Sequence, residues 1–263
     1  MSLDNPFTQL NYGRVHIRPY GSTLPPFELG AFRQTEFTPE LNELTVADPR
    51  TLANSELDGV SRPAGGTLEG ELLELVPETL AALLAARRVV IETGAVADEE
   101  TVVMVRRTSM LKYLPLSITS VKSVDDVTTY VANIDYVKTP GGIRVLPGGE
   151  LATAIEAQAA DADGNKSLSV KVAYSRCKTD LIQAFMKGRQ FWEVFVETMN
   201  EAGQLDGKRV RFRRARIGLT GSLPLINRDD FAAVGITFTL SQDPNFFVPD
   251  ESAFFVWENE VVE

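Results

Sequence analysis

Several stretches of the chain alternate between apolar and polar residues with a period of two, which is typical of β-strands with one buried face. The clearest stretches are residues 66–75, 168–175, 191–200, 208–218 and 232–240. β-Branched and aromatic residues are frequent in them, which favours strands further. The pattern therefore predicts a mainly β fold.

Three short segments depart from this alternation. Residues 77–88 (PETLAALLAARR) begin with proline, have Glu78 in the first turn and end in two arginines. These features predict a short amphipathic helix. Residues 178–188 (KTDLIQAFMKG) predict a second short helix that Gly188 ends, and residues 151–160 predict a helical turn. We expect one or two short helices flanking the strands.

Between residues 89 and 149 the chain consists of short β-branched runs separated by turn signals. A further turn (ADGN) and the strand at 168–175 follow. We interpret residues 95–167 as a small inserted β-rich domain. Residues 1–94 and 168–263 would then form a discontinuous core domain.

Two segments, residues 1–26 and 40–62, contain few residues that could build a core. The second is polar, contains proline, and is long for a loop in a compact domain, which indicates a contact or functional role. Ordering such a segment costs conformational entropy that contacts between copies of a chain can offset. The sequence therefore favours an oligomer.

The chain offers little catalytic or metal-binding chemistry. It has one cysteine (Cys177) and one histidine (His16), too few for a Cys/His zinc site. His16 lies in an alternating segment, VHIRPY, and we interpret it as a residue on a strand face. The glycine pairs in PAGGT, TPGGI and LPGGE lack the context of a phosphate-binding loop and are typical of turns. We predict no catalytic, cofactor or metal site and no enzyme.

The first residues lack the pattern of a signal peptide, and no stretch approaches the ~18 apolar residues of a membrane helix. We therefore expect a chain made in the cytoplasm that has no membrane partner. Its net charge is -10, which disfavours a general affinity for nucleic acid phosphates.

One predicted strand is strongly basic. Residues 208–216 contain six of the 26 lysines and arginines of the chain. Contact with DNA is one interpretation. The other, which we favour, is pairing with carboxylates of the same or a neighbouring subunit, for which Glu193 and Glu197 on the preceding strand are candidates. In this strand Val210 and Phe212 alternate with Arg209, Arg211 and Arg213.

The end of the chain is rich in aromatic residues, including Phe254, Phe255 and Trp257. Apolar groups at this density are usually docked against something. A last strand packed on its own core and a strand lent to a neighbouring copy are both open interpretations.

The order of these elements resembles the major tail tube proteins of long-tailed (siphovirus-type) bacteriophages. The segment KRVRFRRARIGLTGSLPLINRDDFAAVGITFTLSQDPN carries most of the resemblance, with its turn at Leu223–Leu225 and its closing strand. The segment LGAFRQTEFTPELNEL is similar to the opening strand of that family and its following loop. The segment VDDVTTYVANIDYVKTPGGIRVLPGG is similar to an insertion that some members carry.

The resemblance implies a β-sandwich or tube-type core whose subunits form hexameric rings that stack into a hollow tube. The inserted domain would lie on the outer surface, and residues 40–62 would reach the next ring. The partners implied are further copies of the chain, the tape measure protein and genomic DNA in the lumen, and other tail proteins at the tube ends. The chain would be part of the virion, and we take the following residues as candidates for contacts between subunits: Glu40, Glu43, Asp48, Arg50, Glu56, Arg209, Arg211, Arg213, Phe254, Phe255 and Trp257.

Two other hypotheses remain open from the sequence. The first is a tail terminator or distal tail ring protein of the same fold, which would form a single ring. The second is a carbohydrate- or cell-surface-binding β module, which would be monomeric and would be stabilised by its ligand.

Overall fold

The computed structural model describes residues 11–47, 50, 56–188, 190–201, 207–226, 228 and 233–260. The fold is mainly β, as the alternation predicts. In chain order its elements are β1 (Asn11–Pro19), β2 (Phe27–Glu28), β3 (Phe32–Ala47), β4 (Glu56–Leu72), α1 (Pro77–Leu83), β5 (Arg87–Ile91), β6 (Gly94–Val103), β7 (Thr108–Met110), β8 (Pro115–Ser123), β9 (Thr129–Tyr130), β10 (Tyr136–Thr139), β11 (Gly142–Val145), α2 (Glu150–Glu156), β12 (Leu168–Arg176), β13 (Thr179–Gln183), β14 (Trp192–Asn200), β15 (Gly207–Leu219), β16 (Val234–Leu240) and β17 (Phe255–Asn259).

The chain divides into two compact units. Unit 1 comprises Met1–Arg88 and Ile182–Glu263, and unit 2 comprises Val89–Leu181. The domain boundaries placed at 94/95 and 167/168 are therefore displaced. The reason is that β6 and β12 pair with each other along most of their length, so both belong to the sheets of unit 2.

Unit 1 is built on one eight-stranded sheet. Seven strands follow the order β2-β1-β14-β15-β16-β4-β3, and the eighth, β17, lies off this path. Its pairs are antiparallel. Strand β17 pairs with the first half of β15, from Lys208 to Phe212, and β16 pairs with the second half, from Ala215 to Leu219. The two halves of β15 thus have different neighbours on one side.

Aromatic contacts show that this sheet curls over its own core. Strand β3 is three positions from β15 in the sheet, which would be about 14 Å in a flat sheet. Yet the ring of Phe37 on β3 lies 5.2 Å from that of Phe212 on β15 and 5.2 Å from that of Phe255 on β17. Gly66 and Gly70 of β4 make room, because a Cβ there would lie 2.7 Å and 2.9 Å from the rings of Phe37 and Phe32.

Helix α1 is at the predicted place and packs on the core of unit 1 through Leu83 and Ala82. The buried hydroxyl of Thr79 donates a hydrogen bond of 2.7 Å to the carbonyl of Leu29, which fixes the helix against the chain that follows β2. The helix ends at Leu83, so Arg87 and Arg88 do not belong to its last turn but begin β5.

Unit 2 has its own core between a four-stranded sheet, β6-β12-β8-β9, and a three-stranded sheet, β10-β11-β7. The predicted helical turn is α2, whose Leu151, Ala152 and Ile155 are buried. The carboxylate of buried Asp135 accepts hydrogen bonds from the amides of Val131 at 2.7 Å and Leu151 at 3.3 Å. This carboxylate joins a loop to the start of α2.

The helix predicted at residues 178–188 is wrong. Residues 179–183 form β13, which pairs with β5 in a two-stranded sheet. The chain then turns at Phe185, which has a φ of 59°, and its amide bonds to the carbonyl of Leu84 at 2.9 Å. Backbone pairing with β5 therefore outweighs the amphipathic spacing, and Phe185 and Met186 are exposed.

The long polar loop predicted at residues 40–62 is also wrong. Its described part continues β3 and β4 as a paired ribbon up to Ala47 and Glu56. Residues 48–49 and 51–55 between the two strands lie outside the described residues.

Candidate assembly surfaces of unit 1

The most distinctive surface of unit 1 is the outer part of the β3–β4 hairpin, residues 41–47 and 56–63, which we call the arm. Strand β16 accompanies β4 only as far as the pair Leu240–Gly66. Beyond that point β3 and β4 pair only with each other among the described residues. The seven residues of β3 in the arm correspond to about 23 Å of extended strand.

The arm has one apolar face. The cross-strand pairs Leu44–Val60 and Val46–Asp58 place Leu44, Val46 and Val60 on the same face, with the carboxylate of Asp58 beside them. The three aliphatic side chains are 54%, 60% and 50% exposed. The opposite face has Glu43 and Thr45 opposite Ser61 and Gly59, and exposed Leu41 opposite Pro63. The arm therefore presents an aliphatic face that no described residue of the chain covers.

Among the contact candidates on the hairpin, Glu40 accepts a hydrogen bond of 3.4 Å from the hydroxyl of Thr67, and Glu43 is exposed. Arg50 is exposed in a turn and has a partner within the chain. Glu56 lies opposite Ala47 at the outer end of the paired strands. Asp48 lies outside the described residues.

Three arginines of the basic strand β15 pair with carboxylates of the same chain. Arg209 contacts Glu258 at 2.5 Å and Arg211 contacts Glu193 at 3.3 Å. Arg213 contacts Glu251 at 3.0 Å. The predicted pairing with carboxylates is thus confirmed for these three arginines, and of the two predicted acceptors Glu193 is one. Glu197 is in register with Arg209, but its contact is with His16, at 3.7 Å.

The simple alternation expected for β15 fails at Arg213. The register between β14 and β15 shifts between the pairs Trp192–Ala215 and Val194–Phe212. A bulge of this kind adds a residue to one strand and changes which face the next side chains occupy. Arg213 is consequently 7% exposed instead of lying on the face of Arg209 and Arg211.

Buried Arg213 holds the segment that leads into β17. Its Nε donates a hydrogen bond of 2.9 Å to the carbonyl of Ser252, and its guanidinium lies 3.4 Å from the ring centre of Phe246. On the other side of the bulge the guanidinium of Arg214 lies 3.7 Å from the ring centre of Phe191. Such cation–π contacts stabilise a cation without a carboxylate. Sequence reasoning missed both, because the aromatic partners are distant along the chain.

The aromatic end of the chain packs on its own unit. Phe255 is in β17 and contacts Phe37 and Phe212 in the core. Phe254 is half-buried and its carbonyl accepts a hydrogen bond from the amide of Arg213 at 3.0 Å. Trp257 is 54% exposed. Of the two open interpretations, the last strand packed on its own core describes this chain.

Unit 1 also contains an open cavity of about 660 Å³, which we call the cleft. Strand β3 forms one wall, and the first residues of β1 with parts of β14, β15 and β17 form the other. Buried Val15, Val196, Val210 and Phe212 lie at its floor. The sequence gives no sign of the cleft, because it depends on how far the sheet curls.

In the described part of the chain, no group of three or more His, Cys, Asp or Glu side chains is placed to hold a metal ion. His16 lies on β1, as its alternating context predicts. Neither helix of the described chain has the length and apolar character needed to cross a membrane.

A family model described as "Protein of unknown function UCP028589" matches residues 9–258. The chain belongs to this family. No curated protein matches the chain.

Proposed function

We propose that this family member is a structural subunit of a phage tail tube, which assembles as stacked hexameric rings around a lumen that conducts DNA during ejection. The observation that carries the proposal is the arm. The further partners are the tape measure protein and genomic DNA in the lumen and other tail proteins at the tube ends, and the place of the protein is the virion.

The arm supports self-assembly on energetic grounds. A two-stranded ribbon without a core is marginally stable in water. Here the ribbon also exposes Leu44, Val46 and Val60 on one face. Burying an aliphatic side chain contributes about 1.5–3 kcal/mol relative to leaving it exposed, so a neighbour that covers this face stabilises both the arm and the contact.

The edges of the unit 1 sheet are a second support. Strand β3 pairs with β4 on one side and with no other described strand. At the opposite edge β2 covers only His16 and Ile17 of β1, so residues Asn11–Arg14 pair only with β14. Open edges tend to pair with other chains, and closing a sheet through its neighbours removes them. Both edges are long enough for a subunit-to-subunit strand pair.

The charge distribution fits a DNA conduit. Six copies at a net charge of -10 repel a polyanion, which keeps it from sticking to the wall of a channel. The arginines of β15 are the residues that would attract DNA, and Arg209, Arg211 and Arg213 are engaged with carboxylates. Because these three arginines are already paired with carboxylates, β15 can face either the lumen or the outside of the proposed tube.

The test is electron microscopy of the purified chain over a concentration series. We expect hollow tubes or stacked six-fold rings with a lumen wide enough for duplex DNA. Single rings that do not stack at any concentration would favour the tail terminator or distal ring protein. A monodisperse monomer at every concentration would contradict self-assembly.

A shortened variant makes this test specific to the arm. Asn42 and Arg62 face each other in register, so an Asn-Gly turn can replace residues 43–61 between them. We expect this variant to keep the far-UV circular dichroism of a folded β protein but to lose stacking. Tubes formed equally well by the shortened chain would remove the main support of the proposal.

A further inference from the structure

We propose that the cleft of one copy receives the arm of a second copy, with Leu44, Val46 and Val60 of the arm against the cleft floor. This inference rests on the proposed function, because it assumes that copies of the chain meet. It adds which surface accepts the arm.

The two surfaces match in apolar character. The floor of the cleft consists of aliphatic and aromatic side chains, with Val15, Val196, Val210 and Phe212 all less than 9% exposed. Thr35 and Thr198 line the walls as small polar residues. A cleft of about 660 Å³ is in the range that accommodates a few inserted side chains rather than a whole domain.

The two surfaces also match in charge. Every charged residue that lines the cleft is basic, namely Arg14, Arg33 and Lys208. The arm carries three carboxylates and one arginine. A cleft whose charged lining residues are all cations attracts an acidic segment, and the arm, which has a net negative charge, complements it.

Arg14 and Arg33 of the cleft can exchange their present ion-pair partners at little cost in free energy. Arg14 contacts Glu28 at 3.6 Å and Arg33 contacts Glu71 at 3.3 Å. All four side chains are between 41% and 70% exposed. Exposed pairs of this kind contribute about 0–1 kcal/mol, so an incoming carboxylate can compete for either arginine.

The arm cannot fill the cleft of its own chain. Phe37, which lines the cleft, and Leu44, on the arm, belong to the same extended strand. Seven residues of strand separate their Cα atoms by about 23 Å. The paired β3–β4 ribbon carries Leu44 away from the cleft of its own chain, so the occupant comes from another copy.

This contact is head-to-tail, because each copy gives one arm and receives another on a different surface. Contacts of this type close into a ring or continue as an open polymer. If the arm of each copy occupies the cleft of the next copy, this one type of contact can be repeated along an assembly.

Disulfide trapping between two separately purified variants tests the inference. In a Cys177→Ser background, one preparation carries Leu44→Cys on the apolar face of the arm and the other carries Thr198→Cys in the cleft. A disulfide requires Cα atoms about 4.4–6.8 Å apart. We expect a covalent dimer on a non-reducing gel after mixing in a glutathione redox buffer, and no such dimer when either preparation is treated alone.

Matched controls use the neighbouring residue on the opposite face in each case. Glu43→Cys mixed with Thr198→Cys, and Leu44→Cys mixed with Glu197→Cys, should give no heterodimer above background. Electron microscopy of the same mixtures reports assembly independently. Tubes or rings without the Leu44–Thr198 disulfide, or with equal disulfides in the controls, would overturn the cleft as the receptor while leaving the proposed function intact. Monomers without any disulfide would overturn both.

Discussion

Glu193 is the carboxylate that holds together the charged face of β1, β14 and β15. It is 8% exposed. It accepts hydrogen bonds from Arg18 at 2.6 and 2.9 Å and from Arg211 at 3.3 Å. Both guanidinium groups also lie over the ring of Phe195, at 5.3 Å and 5.7 Å from its centre. Removing this charge would leave two partly buried cations without their carboxylate.

We predict that Glu193→Gln lowers the free energy of unfolding by about 2 kcal/mol, because hydrogen bonds to charged groups contribute about 1.5–3 kcal/mol. Urea denaturation monitored by circular dichroism measures this change. The matched control is Glu258→Gln, which removes the exposed partner of Arg209 and should cost less than about 1 kcal/mol. Equal losses in the two variants would contradict the role given to Glu193.

The buried phenol of Tyr174 makes the stability of the chain depend on pH in the alkaline range. Burial, with the hydrogen bond of 2.6 Å to Glu99, raises the pKa of Tyr174 from 10.0 to about 12. Because folding favours the neutral phenol, its contribution to stability is complete below pH 10 and is lost as the pH rises through about 12.

Tyr174→Phe should therefore lose stability less steeply over that pH interval than the wild-type chain. Urea titrations at several alkaline pH values measure the slopes, and the difference between the two proteins isolates Tyr174 from other groups that titrate there. Equal slopes of the free energy of unfolding against pH in the two proteins would show that ionisation of the phenol is not coupled to unfolding.

At the scale of residues, the sequence predicted that the arginines of β15 pair with carboxylates, because both kinds of side chain are common on neighbouring strands. It could not predict the burial of Arg213. A bulge between β14 and β15 shifts the register there, and one extra residue is enough to reverse the side-chain faces. The partners Glu251 and Phe246 come from a segment more than 30 positions away.

At the scale of elements, the arm shows how a polar, proline-containing segment can still form strands. Residues 40–62 suggested a loop because they are polar and contain proline, and Pro39 and Pro63 next to them cannot donate a hydrogen bond to a ladder. β3 is an edge strand, and β4 becomes one beyond Gly66, where β16 ends. Proline is tolerated at such edges.

The two faces of the arm should respond differently to an added charge. Val60→Asp places a charge on its apolar face, whereas Thr45→Asp places the same charge on the opposite face. Both sites are exposed, so we expect both variants to fold with unchanged stability. Val60→Asp should weaken assembly because it removes an aliphatic side chain from the contact and adds a second carboxylate beside Asp58, whereas Thr45→Asp should retain assembly.

Light scattering against concentration, with electron microscopy of the end points, measures the difference. Loss of assembly in both variants would indicate that charge alone, and not the apolar face, controls the contact. Assembly by both would place the contact elsewhere.

At the scale of the whole molecule, the discontinuous arrangement depends on β5 and β13. The two chain segments that cross between the units lie in these strands, which pair with each other. Unit 2 has a core of its own, centred on residues such as Val103, Val121 and Val172. The boundaries predicted from the sequence fall inside β6 and next to β12. The change in residue pattern on which they rest lies between β5 and β13, the paired strands in which the chain crosses between the units.

We predict that unit 1 folds without unit 2. Replacing residues 92–178 with a short Gly-Ser linker between Ile91 and Thr179 should preserve the β5–β13 pair and the unit 1 core. Circular dichroism and thermal unfolding measure folding, and electron microscopy measures assembly. A folded shortened chain that fails to assemble would show that unit 2 takes part in the contacts between copies.

The paired crossing also has a practical consequence. Neighbouring strands of a sheet lie about 4.8 Å apart, so the chain leaves and re-enters unit 1 through two adjacent points. Any compact passenger whose own termini lie close together can occupy that position without pulling the eight-stranded sheet apart. If copies of the chain assemble as proposed, the same attachment point would suit the multivalent display of a foreign peptide or enzyme, with one passenger for each copy.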